Sequence, residues 1–257
     1  MDTKTPTRAE VLYLDILKRA LTNVIYEDAP IALITQDTEY SRESRDGGLD
    51  WPSVAHTMIG TVGLDHIEWC LGQVVADDVP GDFIETGVWR GGACIFAKGF
   101  LEAHGIEDRS VWVADSFEGI PEIGEDGHPL DHKYGWHRLN HVLGVAEEQV
   151  RENFARYGLL DDRVRFVKGW FRDSLPTAPI ERLAVLRLDG DLYESTMSAL
   201  THLYPKVSVG GFVIVDDYKI PQCREAVHEY REQHGLEADE LHEIPRGSGP
   251  VFWRRTR

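Results

Sequence analysis

Apolar residues at helical spacing open the chain. Residues 11–25 (VLYLDILKRALTNVI) repeat them every three to four positions, which predicts one buried helix face. The stretch 27–52 mixes charges, glycines and short apolar pieces without a period, and helical spacing resumes over 66–75. From residue 82 the texture changes to short apolar runs alternating with amphipathic segments, the pattern of a parallel sheet wrapped by helices. Strands are expected at 82–86, 110–114, 164–167, 183–188 and 211–215, with helices at 92–103, 147–157, 195–204 and 222–234. Two last runs, 240–244 and 251–254, flank a Gly/Pro turn at 245–250 and predict an antiparallel hairpin on a sheet edge. The expected fold class is α/β, a doubly wound seven-stranded sheet with five parallel strands plus that hairpin, carrying ligands at the carboxyl ends of its strands. A helical cap over 1–80 and a sheet domain over 81–257 are the expected divisions.

One connection is too long to be a mere link. Between the second and third strands, residues 119–140 are rich in Gly, Pro, Asp and His and lack any period. Loops of that length inside a compact domain tend to be lids or binding loops, so substrate recognition is expected there.

Composition narrows the classes. The 257 residues hold 27 Lys+Arg against 44 Asp+Glu, a formal net charge of -17, which repels polyanions and argues against a nucleic-acid partner. No apolar run approaches the ~18 residues of a membrane span. The first residues show no uninterrupted apolar segment of a secretory signal, so a cytoplasmic location is expected. Cys70, Cys94 and Cys223 are odd in number and too widely spaced for a CxxC metal site, which fits reduced thiols.

The chemistry concentrates at predicted strand ends. In IETGVWRGG (84–92), Gly87 permits a tight turn, while Gly91 and Gly92 let the backbone approach a ligand. A dinucleotide fingerprint would need a middle glycine that is absent here. Glu85 before the turn would repel phosphates and attract an ammonium or sulfonium group, which favours S-adenosylmethionine over NAD. Asp115 ends the second strand, where it would either bond ribose hydroxyls or cap a helix, and Ser116 could serve either role. Trp170 and Phe171, after the third strand, would stack an adenine ring or fill the core. The sharpest signal is the pair LRLDGDLYEST and VIVDDYKIP at the ends of the fourth and fifth strands. Neighbouring strands lie about 4.8 Å apart. Asp189, Asp191, Asp216 and Asp217 would then crowd one sheet edge, a repulsion relieved only by protonation, pairing or a cation. With no Cys or His in either motif, a hard oxygen-seeking ion such as Mg2+ fits better than zinc.

These residues resemble the macrocin O-methyltransferase (TylF-like) family of antibiotic-sugar methyltransferases. The resemblance runs from about residue 12 to 254 and rests on VIYED (24–28), AHTMIG (55–60), ETGVWRGGACIFA (85–97), VWVADSF (111–117), GWFRDSLPTAP (169–179), LRLDGDLYEST (186–196) and VDDY (215–218). It implies a seven-stranded, Rossmann-like methyltransferase fold and transfer of a methyl group from S-adenosylmethionine to a sugar hydroxyl of a glycosylated natural product. It implies Mg2+, or another divalent cation, on Asp191, Asp216 and Asp217, with Asp191 also the general base and Asp189 orienting its neighbours. Methyl-donor contacts are implied for Thr57, Met58, the turn Glu85, Thr86, Gly87, Val88, Trp89 and Arg90, then Asp115, Ser116, Phe117, Gly119, Trp170 and Phe171. A homodimer or larger homo-oligomer is implied as well, with the N-terminal helices as its obvious element. The segment 33–44 and the lid, which holds His137, differ from the macrolide members, so the substrate stays open. Two rivals remain, a catechol-type phenolic O-methyltransferase using the same metal edge and a noncatalytic cofactor-binding protein. An NAD-linked oxidoreductase is disfavoured by the missing glycine and the lack of a Tyr-x-x-x-Lys pair.

Overall fold

The computed structural model describes residues 6–32, 38–245 and 249–257. Residues 33–37 of the divergent segment 33–44, and 246–248 of the expected hairpin turn, lie outside the described residues.

The elements run α1 (Arg8–Leu21), α2 (Arg42–Asp46), α3 (Gly60–Ala76), β1 (Asp82–Thr86), α4 (Gly92–Ala103), β2 (Val111–Asp115), α5 (Asn140–Leu143), α6 (Glu147–Arg156), β3 (Val164–Lys168), α7 (Phe171–Ser174), β4 (Leu183–Leu188), α8 (Tyr193–Leu203), β5 (Val207–Val215), α9 (Pro221–Gln233), β6 (His242–Glu243) and β7 (Val251–Arg254). Seven strands form one sheet in the order β3-β2-β1-β4-β5-β7-β6. The first five are parallel; β7 joins β5 antiparallel, and β6 joins β7 antiparallel. The expected sheet is therefore the observed one. Its strand order reverses between β1 and β4, the place where open α/β sheets leave a crevice beyond their carboxyl ends.

Local chemistry explains the elements around that crevice. Helix α1 starts at a capping box in which the Thr7 hydroxyl accepts from Glu10 N–H and the Glu10 carboxylate accepts from Thr7 N–H. It buries Leu14, Leu17 and Leu21 and leaves Val11, Leu12 and Ile16 outside. The buried leucines share one core with α3, α4 and the inner faces of β1, β2 and β4, while α8 and α9 cover the other face. Burial on both faces explains why the central strands read as unbroken apolar runs.

Two elements start four or more residues earlier than expected. Helix α3 begins at Gly60, six residues before the expected 66–75, because Gly60 takes φ +69 and its missing Cβ admits the backbone carbonyl of Arg45. Strand β5 begins at Val207 rather than 211, since the Gly210–Gly211 pair bends the strand, with Gly210 at φ +88, instead of starting it. Among the described residues no helix is long and apolar enough to cross a membrane.

Candidate active site

The first loop of the site is held by contacts that demand glycine. Asp189 N–H donates to Thr86 O at 2.9 Å, and Gly87 N–H donates to Ala114 O at 2.8 Å, so three chain segments converge after β1. Gly87 stands at φ +88, and a Cβ there would collide with the Asp189 carbonyl oxygen. Gly92 presses on His56, donating its N–H to His56 O at 2.9 Å, which brings the 52–58 segment against the turn. Arg90 completes that junction: its Nη1 donates to Ala55 O at 2.7 Å and to Pro52 O at 3.2 Å.

Asp115 organises the next loop. Its Oδ2 accepts Val88 N–H at 2.7 Å and its Oδ1 accepts Phe117 N–H at 2.8 Å, tying the end of β2 to the glycine turn. Ser116 Oγ also donates to Oδ1, at 3.3 Å, so the carboxylate is held in place by the loops around it. Beyond these loops lies a cleft of about 490 Å³ that collects residues from beyond the ends of β1, β2, β3 and β4. Met58, Gly87, Trp89, Asp115, Ser116 and Gly119 line it, together with Trp170, Phe171, Asp189 and Asp191. Phe171 also packs against the core, so the two readings of that aromatic hold together. Residues 120–127 of the long connection form a further wall.

Several expected donor contacts face elsewhere. Thr57, Thr86, Val88 and Phe117 are buried and contribute packing or backbone rather than cleft surface. Arg90 lies outside the lining, its guanidinium spent on the 52–55 carbonyls and stacked 3.9 Å from the Trp89 ring centroid. His137 sits half-buried outside the lining. Glu85 is 2% exposed and lies outside the cleft lining. In the sheet register it is the Cα partner of Arg187, and its carboxylate pairs with that guanidinium and accepts the Cys94 thiol at 3.1 Å.

Arg187 was not anticipated as a site residue. It is 1% exposed on β4, and Nη1 donates to Asp189 Oδ2 at 2.7 Å as well as to Glu85, while Nη2 donates to Asp216 Oδ1. Burial works against its charge, yet Asp216, Asp189 and Glu85 hold the guanidinium protonated well above the ordinary range. A charged residue inside an unbroken apolar strand was the available signal, since Arg is almost never fully buried unless paired.

One guanidinium does not balance the edge. Asp189, Asp216 and Asp217 each place a carboxylate oxygen within 4.8 Å of the others. Asp191 adjoins them: its N–H donates to Asp217 Oδ2 at 3.0 Å, from a left-handed backbone at φ +59. Burial, with Asp189 and Asp216 adding, pushes the Asp191 carboxyl up to about 7. Burial and then Asp191 push Asp217 well above the carboxylate range. All the donors are hard oxygens, the set that suits a divalent cation of the Mg2+ type. The tight group contains Asp189 where Asp191 was expected. The cleft continues the same sign, with Glu122, Glu125, Asp126 and Glu194 set against Arg172.

A parallel sheet reversed between β1 and β4, closed by antiparallel β7, with a glycine turn and an acid at the next strand end, is the fold of the S-adenosylmethionine-dependent methyltransferases. Within that class the chain belongs to the macrocin O-methyltransferase (TylF) family, which matches residues 10–255. It is 58% identical, over 96% of this chain and 94% of the relative, to the 8-demethyl-8-(2,3-dimethoxy-alpha-L-rhamnosyl)-tetracenomycin-C 4'-O-methyltransferase of Streptomyces olivaceus. To the mycinamicin III 3''-O-methyltransferase of Micromonospora griseorubida it is 53% identical, over 98% of this chain and 99% of the relative. The solved structure of the O-methyltransferase NovP superimposes with a TM-score of 0.91 at 56% identity, covering 96% of this chain and all of that one. The chain is an O-methyltransferase by this membership.

Proposed function

We propose that the protein transfers a methyl group from S-adenosylmethionine to a sugar hydroxyl of a glycosylated natural product, with a divalent cation, Mg2+ by the chemistry of its donors, held at the acid edge. The observation that carries this reading is the convergence of four aspartates from the ends of β4 and β5 beside an acidic cleft of about 490 Å³. The relative whose name specifies a rhamnosyl group and its 4' position supports a sugar acceptor.

For the methyl donor, the supporting features are the glycine turn, the Asp115 carboxylate lining the cleft at the end of β2 as a partner for ribose hydroxyls, and Trp170 and Phe171 as an aromatic wall for adenine. The surplus of carboxylates over Arg172 favours a cationic sulfonium over a phosphate-bearing cofactor. Asp191, Asp216 and Asp217 would hold the cation. Asp191 enters that set on the family resemblance and because it lines the cleft with no cation partner among the described residues; Asp189 lines the cleft too and, like Asp216, is engaged by Arg187, so it is the alternative third ligand. A divalent ion, when bound, lowers the pKa of a hydroxyl it coordinates. The residues of the chain do the rest. Asp191 accepts the proton that leaves the acceptor hydroxyl, Asp216 and Asp189 are fixed by Arg187, and the cleft walls align oxygen, methyl carbon and sulfur. Residues 119–140 act as the lid that selects the acceptor, and the 1–80 segment as the oligomer contact. The exposed Val11, Leu12, Ile16 and Tyr26 support that contact, since such apolar surface is what interfaces bury.

The test is transfer from methyl-labelled S-adenosylmethionine, with Mg2+ present, to a panel of deoxysugar-bearing natural products, their aglycones and simple catechols. Label is expected on glycosides and absent from aglycones. Labelled catechols, with unlabelled glycosides, would replace this reading with the phenolic one.

A further inference from the structure

Residues 119–140 are fastened at two places, by two different devices. At the base, Asn140 Oδ1 accepts Ile120 N–H at 2.9 Å and Asn140 Nδ2 donates to Ile120 O at 2.8 Å, closing the loop on itself. At the far end stands Asp131, 1% exposed although it belongs to a surface connection. One of its carboxylate oxygens accepts Tyr193 N–H at 2.7 Å, and the other accepts Glu194 N–H at 3.1 Å.

Those are the first two residues of α8, a helix whose N-cap, Leu192, has no side chain able to bond its free N–H groups. Asp131 supplies from 62 residues away the anionic cap that the local sequence lacks. Glu194 answers in the opposite direction, its Oε1 accepting His128 N–H at 3.0 Å. The His128 ring lies on the Tyr193 ring with centroids 3.6 Å apart and planes 10° from parallel. The arrangement is a capping box divided between two segments of the chain.

Each half of this latch carries part of the site. On the lid side, residues 120–127 wall the cleft. On the other, the turn bearing Asp189 and Asp191 runs directly into α8, and Asp191 sits there at φ +59, a conformation that its surroundings must impose. Asp131 itself is absent from the cleft lining. We propose that Asp131 is a positioning residue for methyl transfer: it latches the lid onto the amino end of α8, so that lid closure and the placement of Asp191 occur together. The inference rests on the role given above to Asp191, and it extends that role to the segment that shuts the cleft.

The experiment uses the full chain and three readouts: tryptic cleavage after the exposed Lys133 and Arg138, the KM for the acceptor against kcat, and thermal unfolding. Asp131→Ala is expected to speed cleavage at those two sites and to raise the acceptor KM, each about tenfold or more, since one hydrogen bond to a charged group is on the scale of that factor by itself. Asp131→Asn should fall between it and wild type, since one oxygen remains while the amide NH2 meets an N–H; it also serves if the alanine variant does not fold. In the cleavage readout, which the cleft-lining role of Glu194 does not enter, adding Glu194→Gln to Asp131→Ala should cost little more, because the two halves act as one unit. Unchanged cleavage after Lys133 and Arg138 would overturn the latch, as would a lower kcat at constant KM that merely tracks a smaller folded fraction. Cleavage reports the latch without any turnover, so a wild-type protein that transfers no methyl group would count against the proposed function alone.

Discussion

Asp191→Asn is expected to lower methyl transfer by about 10³-fold or more while leaving S-adenosylmethionine affinity unchanged, because removing a positioned general base costs ~10²–10⁴ on its own. The amide cannot take the hydroxyl proton, and it removes one anionic ligand from the proposed cation site. Asp191 is not among the residues expected to contact the donor, and the hydrogen bonds that hold the Gly87 turn and Asp115 do not use its carboxylate. Asp189→Asn distinguishes the two candidate ligands. If Asp191 binds the cation, Mn2+ titrated into the Asp189 variant should bind nearly as in wild type, and the Asp191 variant should bind weakly. The reverse order would exchange the two residues. Full turnover by Asp191→Asn would remove it from the chemistry altogether.

Arg187→Met is expected to be the most destabilising single change, by about 3–5 kcal/mol, the cost of stranding buried charges when one partner is removed. Glu85 and Asp216 are buried and depend on the guanidinium; burial already pushes the Glu85 carboxyl up to about 7 with Arg187 in place. For a domain of this size the loss corresponds to about 10 °C or more in Tm. Arg187→Lys should recover only part, since a point charge cannot reach on two nitrogens the three carboxylates that Nη1 and Nη2 span. Adding Glu85→Gln to Arg187→Met should restore stability by removing one stranded charge. Thermal unfolding of the four proteins checks this, and a wild-type Tm for Arg187→Met would contradict it.

Arg187 and Asp131 mark what the sequence hid. The strands were legible because burial on both faces leaves short unbroken apolar runs, and β1, β4 and β7 fall where those runs predict. The meeting of Asp189 with Asp216 was legible too, because both follow the last residues of adjacent parallel strands, Leu188 and Val215. Arg187 sits inside one of those runs, and its role depends on register: only the pairing of β1 with β4 puts Glu85 opposite it. For the same reason Glu85 read as a ligand group, when the register had already given it a partner. The start of α3 escaped because Gly60 is required by the approach of α2, a tertiary demand that overrides helix propensity. Asp131 lies in an aperiodic segment and acts on a helix 62 residues on, so no local pattern pointed to it. The family motifs pointed to the aspartate edge; the guanidinium that partly offsets it and the Asp131 contacts to α8 became visible only in three dimensions.

The central claim is that the aspartate edge works by holding a divalent cation. It is tested most directly by transfer of labelled methyl from S-adenosylmethionine to a rhamnosyl-bearing acceptor, measured with Mg2+, with chelator, and after excess Mg2+ is restored. Transfer that appears with Mg2+, vanishes with chelator and returns on restoration is the predicted result; transfer indifferent to chelator would contradict it.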